Sequence, residues 1–339
     1  MMFEDYLKKV VNGEDLEYLQ SYECMHEIMR GEVSHERIAG LLTALKMKGE
    51  TVDEIYAFAK VMRENAIRVD GSKFEILVDT CGTGGDGTNT FNISTTAMFV
   101  AAASGVHIAK HGNKSITSKS GAADVLESLG AKIFIENKKV FDCVEKSNVG
   151  FMFAPGYHLS MKNVAPVRKE LPFRTVFNIL GPLSNPAGAN VQLMGVFDRK
   201  LVIKMASVLN KLGVKRAMVV HGSDGMDEIT LTGNTYVAEL NNGDITEYEI
   251  DPRNFGFDLC KVEDLTGGES ADNAKILLDV LNAEKGPKRD IVLLNAGATI
   301  YLAGISNNLE SGIEMAKETL DSKKALDTLQ KFIKCSNEG

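Results

Sequence analysis

A cluster of glycines follows a short apolar run in the segment ILVDTCGTGGDGTNTFNIST, residues 76–95. Gly82, Gly84 and Gly87 satisfy G-x-G-x-x-G, the spacing of dinucleotide-binding loops. Glycine tolerates backbone angles that other residues avoid, and it lets N–H groups approach a ligand closely. The segment therefore predicts a phosphate-binding loop, and its surroundings must decide which phosphate it binds.

The residues after this loop argue against a dinucleotide. Such a site needs an Asp or Glu about 20 residues further on, to bind the ribose hydroxyls. Lys110 and His111 stand there instead, and no acidic residue occurs between Asp86 and Asp124. In a chain with 25% charged residues and a formal net charge of −8, such a stretch indicates a local anion site. A nicotinamide or flavin site is the weaker interpretation.

A second segment rich in anion donors, KHGNKSITSKSG, covers residues 110–121. Ahead of it, Asn92 is placed to cap a helix that begins near Ile93, with Ser94 and Thr95 in the first turn. The free N–H groups and the positive end of a helix dipole attract anions there. Because both loops follow strands of a predicted parallel sheet, we expect them to form one crevice that holds a polyphosphate.

An adjacent acidic pair, Asp227 and Glu228, lies in the glycine-flanked segment HGSDGMDEITLTG after the apolar run AMVV. Mg²⁺ typically takes one or two carboxylates together with substrate phosphates. An isolated Asp-Glu pair is usually a solvated turn, but beside a polyphosphate it predicts a magnesium site. Asp224 is the alternative ligand in the same segment.

The hydrophobic periodicity divides the chain into two parts. Residues 3–68 read as successive helices, one of them capped by Ser34 and ended by Gly49. Strand, helix and strand then follow one another over residues 76–112, and the unit recurs over residues 191–222. TYVAELNNGDITEYEI predicts an antiparallel hairpin with a tight turn, and the sequence is helical again from Ser270 onward.

We therefore predict an α/β fold in two domains. A small N-terminal helical domain covers residues 1–69 and is joined by helices from about residues 160–185. A large α/β domain covers residues 70–339, with a central, mostly parallel sheet, an antiparallel addition and helices on both faces.

The composition narrows the function. The negative net charge argues against a partner recruited by overall charge, so we expect neither a nucleic-acid partner nor an anionic membrane. No apolar run reaches ~18 residues and the N-terminus shows no signal-peptide core, which predicts a cytoplasmic protein without a membrane span. The five cysteines are scattered without a CxxC pair, which argues against disulfides or zinc.

Four segments taken together resemble one family: DTCGTGGDGTNTFNIST, AKHGNKSITSKSGAADVLESLG, HLSMKNVAPVRKELPFRTVFNILGPLSNPAG and DGMDEIT. They are similar to the anthranilate phosphoribosyltransferases of tryptophan biosynthesis, and the likeness runs nearly end to end. The resemblance implies transfer of the 5-phosphoribosyl group from 5-phosphoribosyl 1-diphosphate to the amine of anthranilate, with release of diphosphate. It also implies Mg²⁺, two ions with the diphosphate, and a homodimer whose helical domain closes over the α/β domain.

The resemblance also assigns residues by position. The set implied to bind 5-phosphoribosyl 1-diphosphate is Gly82, Gly85, Asp86, Thr90, Asn92, Ile93, Ser94, Thr95, Lys110, His111, Gly112, Asn113, Lys114, Ser115, Ile116, Thr117 and Ser118. Gly82, Asn113 and Arg168 are implied to contact anthranilate, and Ser94, Asp227 and Glu228 to bind magnesium. No residue is assigned as an acid or base; Lys110, Asn113 and Arg168 are implied to position the substrates and stabilise the leaving group. Ala122, where many members have Ser, is left out of the site.

Two other functions stay open from the sequence. Pyrimidine nucleoside phosphorylases share a helical-plus-α/β architecture and use inorganic phosphate as the acceptor. A non-catalytic relative of the same fold would bind nucleic acid instead. His111 and His158 lie in the matched segments, where either would line the acceptor channel or assist proton removal.

Overall fold

The chain begins with four helices, which the computed structural model places in one bundle; it describes residues 2–115 and 119–338. They are α1 (Met2–Val11), α2 (Tyr18–Arg30), α3 (His35–Lys48) and α4 (Val52–Asn65). Gly49, with a φ of 86°, ends α3 as predicted. Ser34 occupies the position before α3, but its side chain makes no capping hydrogen bond there, so the predicted cap is wrong.

A seven-stranded sheet forms the centre of the second part. Its strands are β1 (Val78–Gly82), β2 (Ile108–Gly112), β3 (Val149–Phe153), β4 (Val191–Gly195), β5 (Arg216–Gly222), β6 (Thr235–Asn241) and β7 (Asp244–Ile250). Their order is β3-β2-β1-β4-β5-β6-β7. The first five run parallel, and β6 and β7 add on antiparallel to β5. Asn242 and Gly243 close the hairpin with positive φ angles of 50° and 103°, as the predicted tight turn requires.

Helices cover both faces of the sheet. They are α5 (Ile93–Ala103), α6 (Ala122–Ser128), α7 (Asn137–Ser147), α8 (Ala165–Glu170), α9 (Phe177–Leu180), α10 (Val202–Lys211), α11 (Ser270–Leu281), α12 (Pro287–Leu302), α13 (Leu309–Asp321) and α14 (Lys324–Asn337). Leu193 and Val220 enter a core shared with α5 and α12, whereas Met194 and Val219 enter a core shared with α4 and α10. This alternation follows from the two-residue period of a strand and confirms the predicted fold class.

The bundle is attached to the sheet by packing and by hydrogen bonds. α8 packs against α3, and α9 against α4. Val167 and Phe177 of these short helices lie in the apolar core of the bundle. Arg63 of α4 donates from Nε to the Leu183 carbonyl at 2.6 Å. The segment around residues 160–185 therefore lies between the bundle and the sheet, while the boundary between residues 69 and 70 stays a prediction.

Among the described residues, no helix combines the length and the apolar composition that a membrane span requires.

Candidate active site

Three loops meet at the carboxyl edge of the parallel strands. The glycine loop (residues 83–92) follows β1, the second loop (residues 113–121) follows β2, and the acidic loop (residues 223–234) follows β5. β1 lies between β2 and β4, so the first two loops are neighbours. The acidic loop starts two strands away from β1 and has to cross the end of β4 to reach them.

The acidic loop crosses by direct contact with two glycines. A Cβ atom on Gly195, the last residue of β4, would lie 1.5 Å from the Asp227 carbonyl oxygen. A Cβ on Gly82, the last residue of β1, would lie 2.2 Å from Asp227 Oδ2. Only residues without a side chain allow this approach, so these two glycines let the acidic loop rest on the ends of both strands.

The acidic pair is held by backbone N–H groups of the neighbouring elements. Gly84 N donates to Asp227 Oδ2 at 2.7 Å, and Ser94 N, in the first turn of α5, donates to Glu228 Oε1 at 3.1 Å. Asp86 Oδ2 accepts from Asp227 N at 3.5 Å. The structure thus brings together the glycine loop, the N-terminus of α5 and the acidic pair.

Three carboxyl groups, those of Asp86, Asp227 and Glu228, lie close together where these elements meet. Burial raises the pKa of Asp227 to about 7, and the nearby Asp86 carboxylate adds to the rise. Burial likewise raises the pKa of Glu228 to about 8, with a further contribution from Asp227. A divalent cation would relieve this repulsion. Two carboxylates suit Mg²⁺, which takes its remaining ligands from phosphates and water.

Lys110 places a positive charge beside the acidic pair. It is a buried residue of β2, and its Nζ donates to the Thr80 carbonyl and, at 3.3 Å, to Ser94 Oγ. Its charge favours the ionised form of Glu228 and lowers the pKa of that carboxyl against the effect of burial. Lys110 therefore faces the same place as the acidic pair, as an anion site requires.

Helix α5 begins at Ile93 as predicted, but the predicted Asn92 cap is wrong. The Asn92 side chain makes no capping bond. Its Nδ2 donates to the Ser120 carbonyl at 3.1 Å, and its Oδ1 accepts from Asn273 Nδ2 at 3.0 Å. Hydrogen bonds to these distant residues replace the expected bond to the first turn of α5. Asn92 thereby ties the second loop to α11 and leaves the first turn of α5 open to the crevice.

The predicted residues of α5 and the glycine loop differ in their surroundings. Ile93 and Thr95 are 1% exposed, and the Ile93 N–H donates to the Phe91 carbonyl at 2.7 Å. Gly85 has a φ of 72°. Thr90 pairs with Thr266 in an isolated β-bridge that fixes the end of the loop.

The second loop is closed on itself by Asp124. Its Oδ2 accepts from both Ser115 N and Gly121 N at 2.8 Å. Asn113 is exposed, and its Oδ1 accepts from Lys114 N at 2.8 Å. The Lys114 ammonium pairs with Glu127 at 2.7 Å on the surface. Ile116, Thr117 and Ser118 lie outside the described residues.

His111 and Gly112 end β2 next to the second loop. A Cβ on Gly112 would lie 2.8 Å from the Phe151 ring. The rings of His111 and His158 are 4.9 Å apart, and both residues are buried. Burial lowers the pKa of His111 to about 3 and that of His158 to about 4, so both imidazoles are neutral at neutral pH.

Arg168 lies on α8, in the segment between bundle and sheet. Its guanidinium carbon is 5.7 Å from the centre of the Phe177 ring, and partial burial lowers its pKa. Sequence patterns missed a second arginine of this segment, Arg174. It stacks on Phe197 at 4.1 Å and donates to the Gly85 carbonyl, which ties the segment to the glycine loop. A lone arginine carries no motif, so only the fold reveals this contact.

A cavity of about 260 Å³ lies elsewhere, between β6, β7 and the start of α13. None of the predicted site residues lines it. The hydroxyls of Tyr248 and Tyr301 both donate to the Glu239 carboxylate there, at 2.6 and 2.8 Å. These three polar side chains of the cavity thus bind one another, whereas the predicted site residues lie at the crevice.

Comparison with known proteins agrees with this geometry. Residues 75–326 match the glycosyl transferase family, a/b domain, and residues 4–66 match the glycosyl transferase family, helical bundle domain. An anthranilate phosphoribosyltransferase from Alkaliphilus metalliredigens is 52% identical over 337 residues, which are 99% of either chain. The chain belongs to the anthranilate phosphoribosyltransferase family. The family predicted from the sequence is confirmed, and the protein is an enzyme of the glycosyltransferase class.

Solved structures of the family show the same fold. Anthranilate phosphoribosyltransferase from Thermus thermophilus superposes with a TM-score of 0.93 at 43% identity, covering 98% of this chain and 100% of that one. The Saccharomyces cerevisiae enzyme in complex with PRPP and Mg has a TM-score of 0.89 at 28% identity, covering 98% and 97%. The same yeast enzyme has also been solved in complex with 4-fluoroanthranilate.

Replacing Gly195 with Ala should displace the acidic loop, because the new Cβ would overlap the Asp227 carbonyl. We expect anthranilate phosphoribosyltransferase activity to fall about 100-fold or more, as a misplacement of about 1 Å is enough for such a loss. Gly40→Ala is the control, since its Cβ meets only ordinary contacts with Leu7. Steady-state rates measure the activity of both variants, and circular dichroism checks that both are folded. Full activity in Gly195→Ala would show that the loop does not rest on β4.

His158→Gln should reduce the loss of thermal stability that occurs as the pH is lowered. The folded-state pKa of His158 is lowered from 6.5 to about 4, so the folded chain binds fewer protons than the unfolded one. The contribution of His158 to the free energy of unfolding is complete above pH 6.5 and is lost as the pH falls through 4. The Tm of His158→Gln should therefore drop less over this range than that of the wild type or of His35→Gln, an exposed control on α3. Parallel curves would contradict a buried, neutral His158.

Proposed function

We propose that this chain transfers the 5-phosphoribosyl group from 5-phosphoribosyl 1-diphosphate to the amine of anthranilate and releases diphosphate. The observation that carries the proposal is the meeting of three groups in one crevice. These are the half-buried pair Asp227 and Glu228, the Lys110 ammonium, and the backbone N–H groups of the glycine loop and α5. The yeast relatives solved with PRPP and Mg and with 4-fluoroanthranilate support the same substrate pair.

In this proposal the diphosphate lies against the glycine loop, the start of α5 and the second loop. Backbone N–H groups at Gly85 and Thr95 donate to phosphate oxygens. Ile93 begins the same helix turn, but its own N–H donates to the Phe91 carbonyl at 2.7 Å. The rest of the binding set is the one that the resemblance assigns: Gly82, Asp86, Thr90, Asn92, Ser94 and residues 110–118. Lys110 stabilises the negative charge that grows on the departing diphosphate.

Ser94, Asp227 and Glu228 are the residues proposed to hold magnesium, as two ions together with the diphosphate. The repulsion within the acidic pair fits a cation there, and the donor set fits Mg²⁺. Magnesium, when bound, supplies charge neutralisation to the leaving diphosphate. Asp227 and Glu228 are kept facing the crevice by the Gly84 and Ser94 N–H groups.

The acceptor is proposed to bind between Arg168 and the second loop. Arg168 can bind a planar carboxylate with two parallel hydrogen bonds, which would aim the anthranilate amine at C1 of the ribose. Gly82 and Asn113 complete this subsite. The amine is an aniline that is already neutral near pH 7, so the reaction needs no strong general base. Positioning by Arg168 and Asn113 then supplies much of the rate.

The remaining parts of the proposal concern the whole molecule. Residues 1–69 and residues 70–339 act as two domains that close over the substrates, and the chain works as a homodimer in the cytoplasm. Arg174 supports the idea of closure, because it links the segment near residues 168–185 to the glycine loop of the α/β domain.

A direct assay tests the reaction. Purified protein is mixed with anthranilate, 5-phosphoribosyl 1-diphosphate and Mg²⁺, and the loss of anthranilate fluorescence is followed. We expect the anthranilate fluorescence to fall only when both 5-phosphoribosyl 1-diphosphate and Mg²⁺ are present. No loss under varied pH and metal would overturn the proposal. Phosphate-dependent release of base from uridine or thymidine would favour a nucleoside phosphorylase, and tight DNA binding at ~200 mM salt would favour a nucleic-acid-binding relative.

Arg168→Ala should raise the KM for anthranilate about 10- to 100-fold, the cost of losing a charge-assisted hydrogen-bond pair. The KM for 5-phosphoribosyl 1-diphosphate should change far less. Lys169→Ala is the matched control, because it removes an exposed cation from the next position of α8. Equal effects of Arg168→Ala on both KM values would refute the proposed role.

A further inference from the structure

The acidic loop is anchored on both sides of Asp227 and Glu228. Met226 and Ile229, the residues that flank the pair, are fully buried. Before the pair, Asp224 Oδ1 accepts from Met226 N at 3.0 Å. Its Oδ2 accepts from the hydroxyls of Thr230 and Thr232 at 2.7 and 2.6 Å. Asp224, the alternative magnesium ligand in the sequence, thus has both oxygens engaged in holding the loop.

The anchor after the pair comes from a distant helix. Asn295 is fully buried on α12, 66 residues from Ile229. Its Oδ1 accepts from Ile229 N at 3.1 Å, and its Nδ2 donates to the Ile229 carbonyl at 2.9 Å. The same Nδ2 donates to the Ile291 carbonyl at 2.9 Å, one turn back in the helix. The amide thus pairs with both main-chain groups of the residue next to Glu228.

The Asn295 amide provides the hydrogen bonds that the structure describes for both main-chain groups of Ile229. An apolar side chain at position 295 would leave a buried N–H and a buried carbonyl of Ile229 without partners, which is costly. The loop would then shift to find other partners, and Glu228 would move with it. Helix α12 also packs against α5, whose Ser94 N–H binds Glu228. Asn295 therefore keeps the loop in register with the helix N-terminus that it faces.

We propose that Asn295 is a positioning residue for the magnesium site: it clamps the Ile229 backbone so that Asp227 and Glu228 face the crevice together. This role rests on the proposed function, in which the acidic pair binds magnesium. Mg²⁺ requires near-ideal octahedral geometry, so small displacements of its ligands weaken its binding. A residue that fixes the position of two ligands therefore affects the affinity. Residues that orient metal ligands typically change affinity 10- to 100-fold when removed.

The test compares Asn295→Ala with a core substitution on the same helix. Leu294 is fully buried on α12 and makes no contact of this kind with the loop, so Leu294→Ala reports the loss of packing alone. Magnesium affinity is measured by calorimetric titration of Mg²⁺ into the full chain with diphosphate, and the rise of Tm with Mg²⁺ is a second readout. We expect the Kd for Mg²⁺ to rise about tenfold or more in Asn295→Ala and to stay at the wild-type value in Leu294→Ala.

Asn295→Ser is the second variant, for the case that Asn295→Ala does not fold. It removes the two-point contact with Ile229 and leaves a hydroxyl for the helix, and the same rise in Kd is expected. If the Asn295 variants bind Mg²⁺ as tightly as Leu294→Ala does, Asn295 is only a core residue and its positioning role is overturned. A wild-type chain that shows no magnesium response overturns the proposed function, and this role with it.

Discussion

The site depends on the close approach of Asp227 to the ends of two strands, through its backbone carbonyl at β4 and its carboxylate at β1. Gly195 and Gly82 leave no side chain at those ends, and the acidic loop occupies the space. Because of this contact, a loop that follows β5 reaches the glycine loop that follows β1. A parallel sheet alone would keep these loops apart, separated by the width of β4.

The rest of the architecture stabilises that meeting point. The Asp224 network and the Asn295 amide hold the acidic loop from either side, and Asn92 and Asp124 hold the second loop. The segment attached to the bundle brings Arg174 to the same edge, where it contacts the Gly85 carbonyl. One edge of the sheet thus gathers backbone N–H groups, the Lys110 ammonium and carboxylates.

Local patterns predicted the elements of this site well. The glycine loop, the start of α5 at Ile93 and the hairpin turn at Asn242 and Gly243 all follow from short-range rules, and the structure has them. The Asn92 cap failed because Asn273, far along the chain, offers the same side chain a better partner. Asn295 and Arg174 were not found, because a single polar residue within an apolar helix or a loop gives no signal until the fold shows what it contacts. The resemblance supplied the roles of Arg168 and Asn113, which spacing alone would not give.

Every role proposed for this crevice requires Asp227 and Glu228 to form its magnesium site. Calorimetric titration of Mg²⁺ in the presence of diphosphate tests it directly, with the wild type set against a variant that carries Asp227→Asn and Glu228→Gln. Asp244→Asn with Glu247→Gln, on the exposed strand β7, removes the same charge elsewhere and serves as the control. We expect tight binding in the wild type and the control, and a loss of about 100-fold or more in the Asp227/Glu228 variant, since it lacks both carboxylate ligands. Equal binding by all three proteins would contradict this assignment.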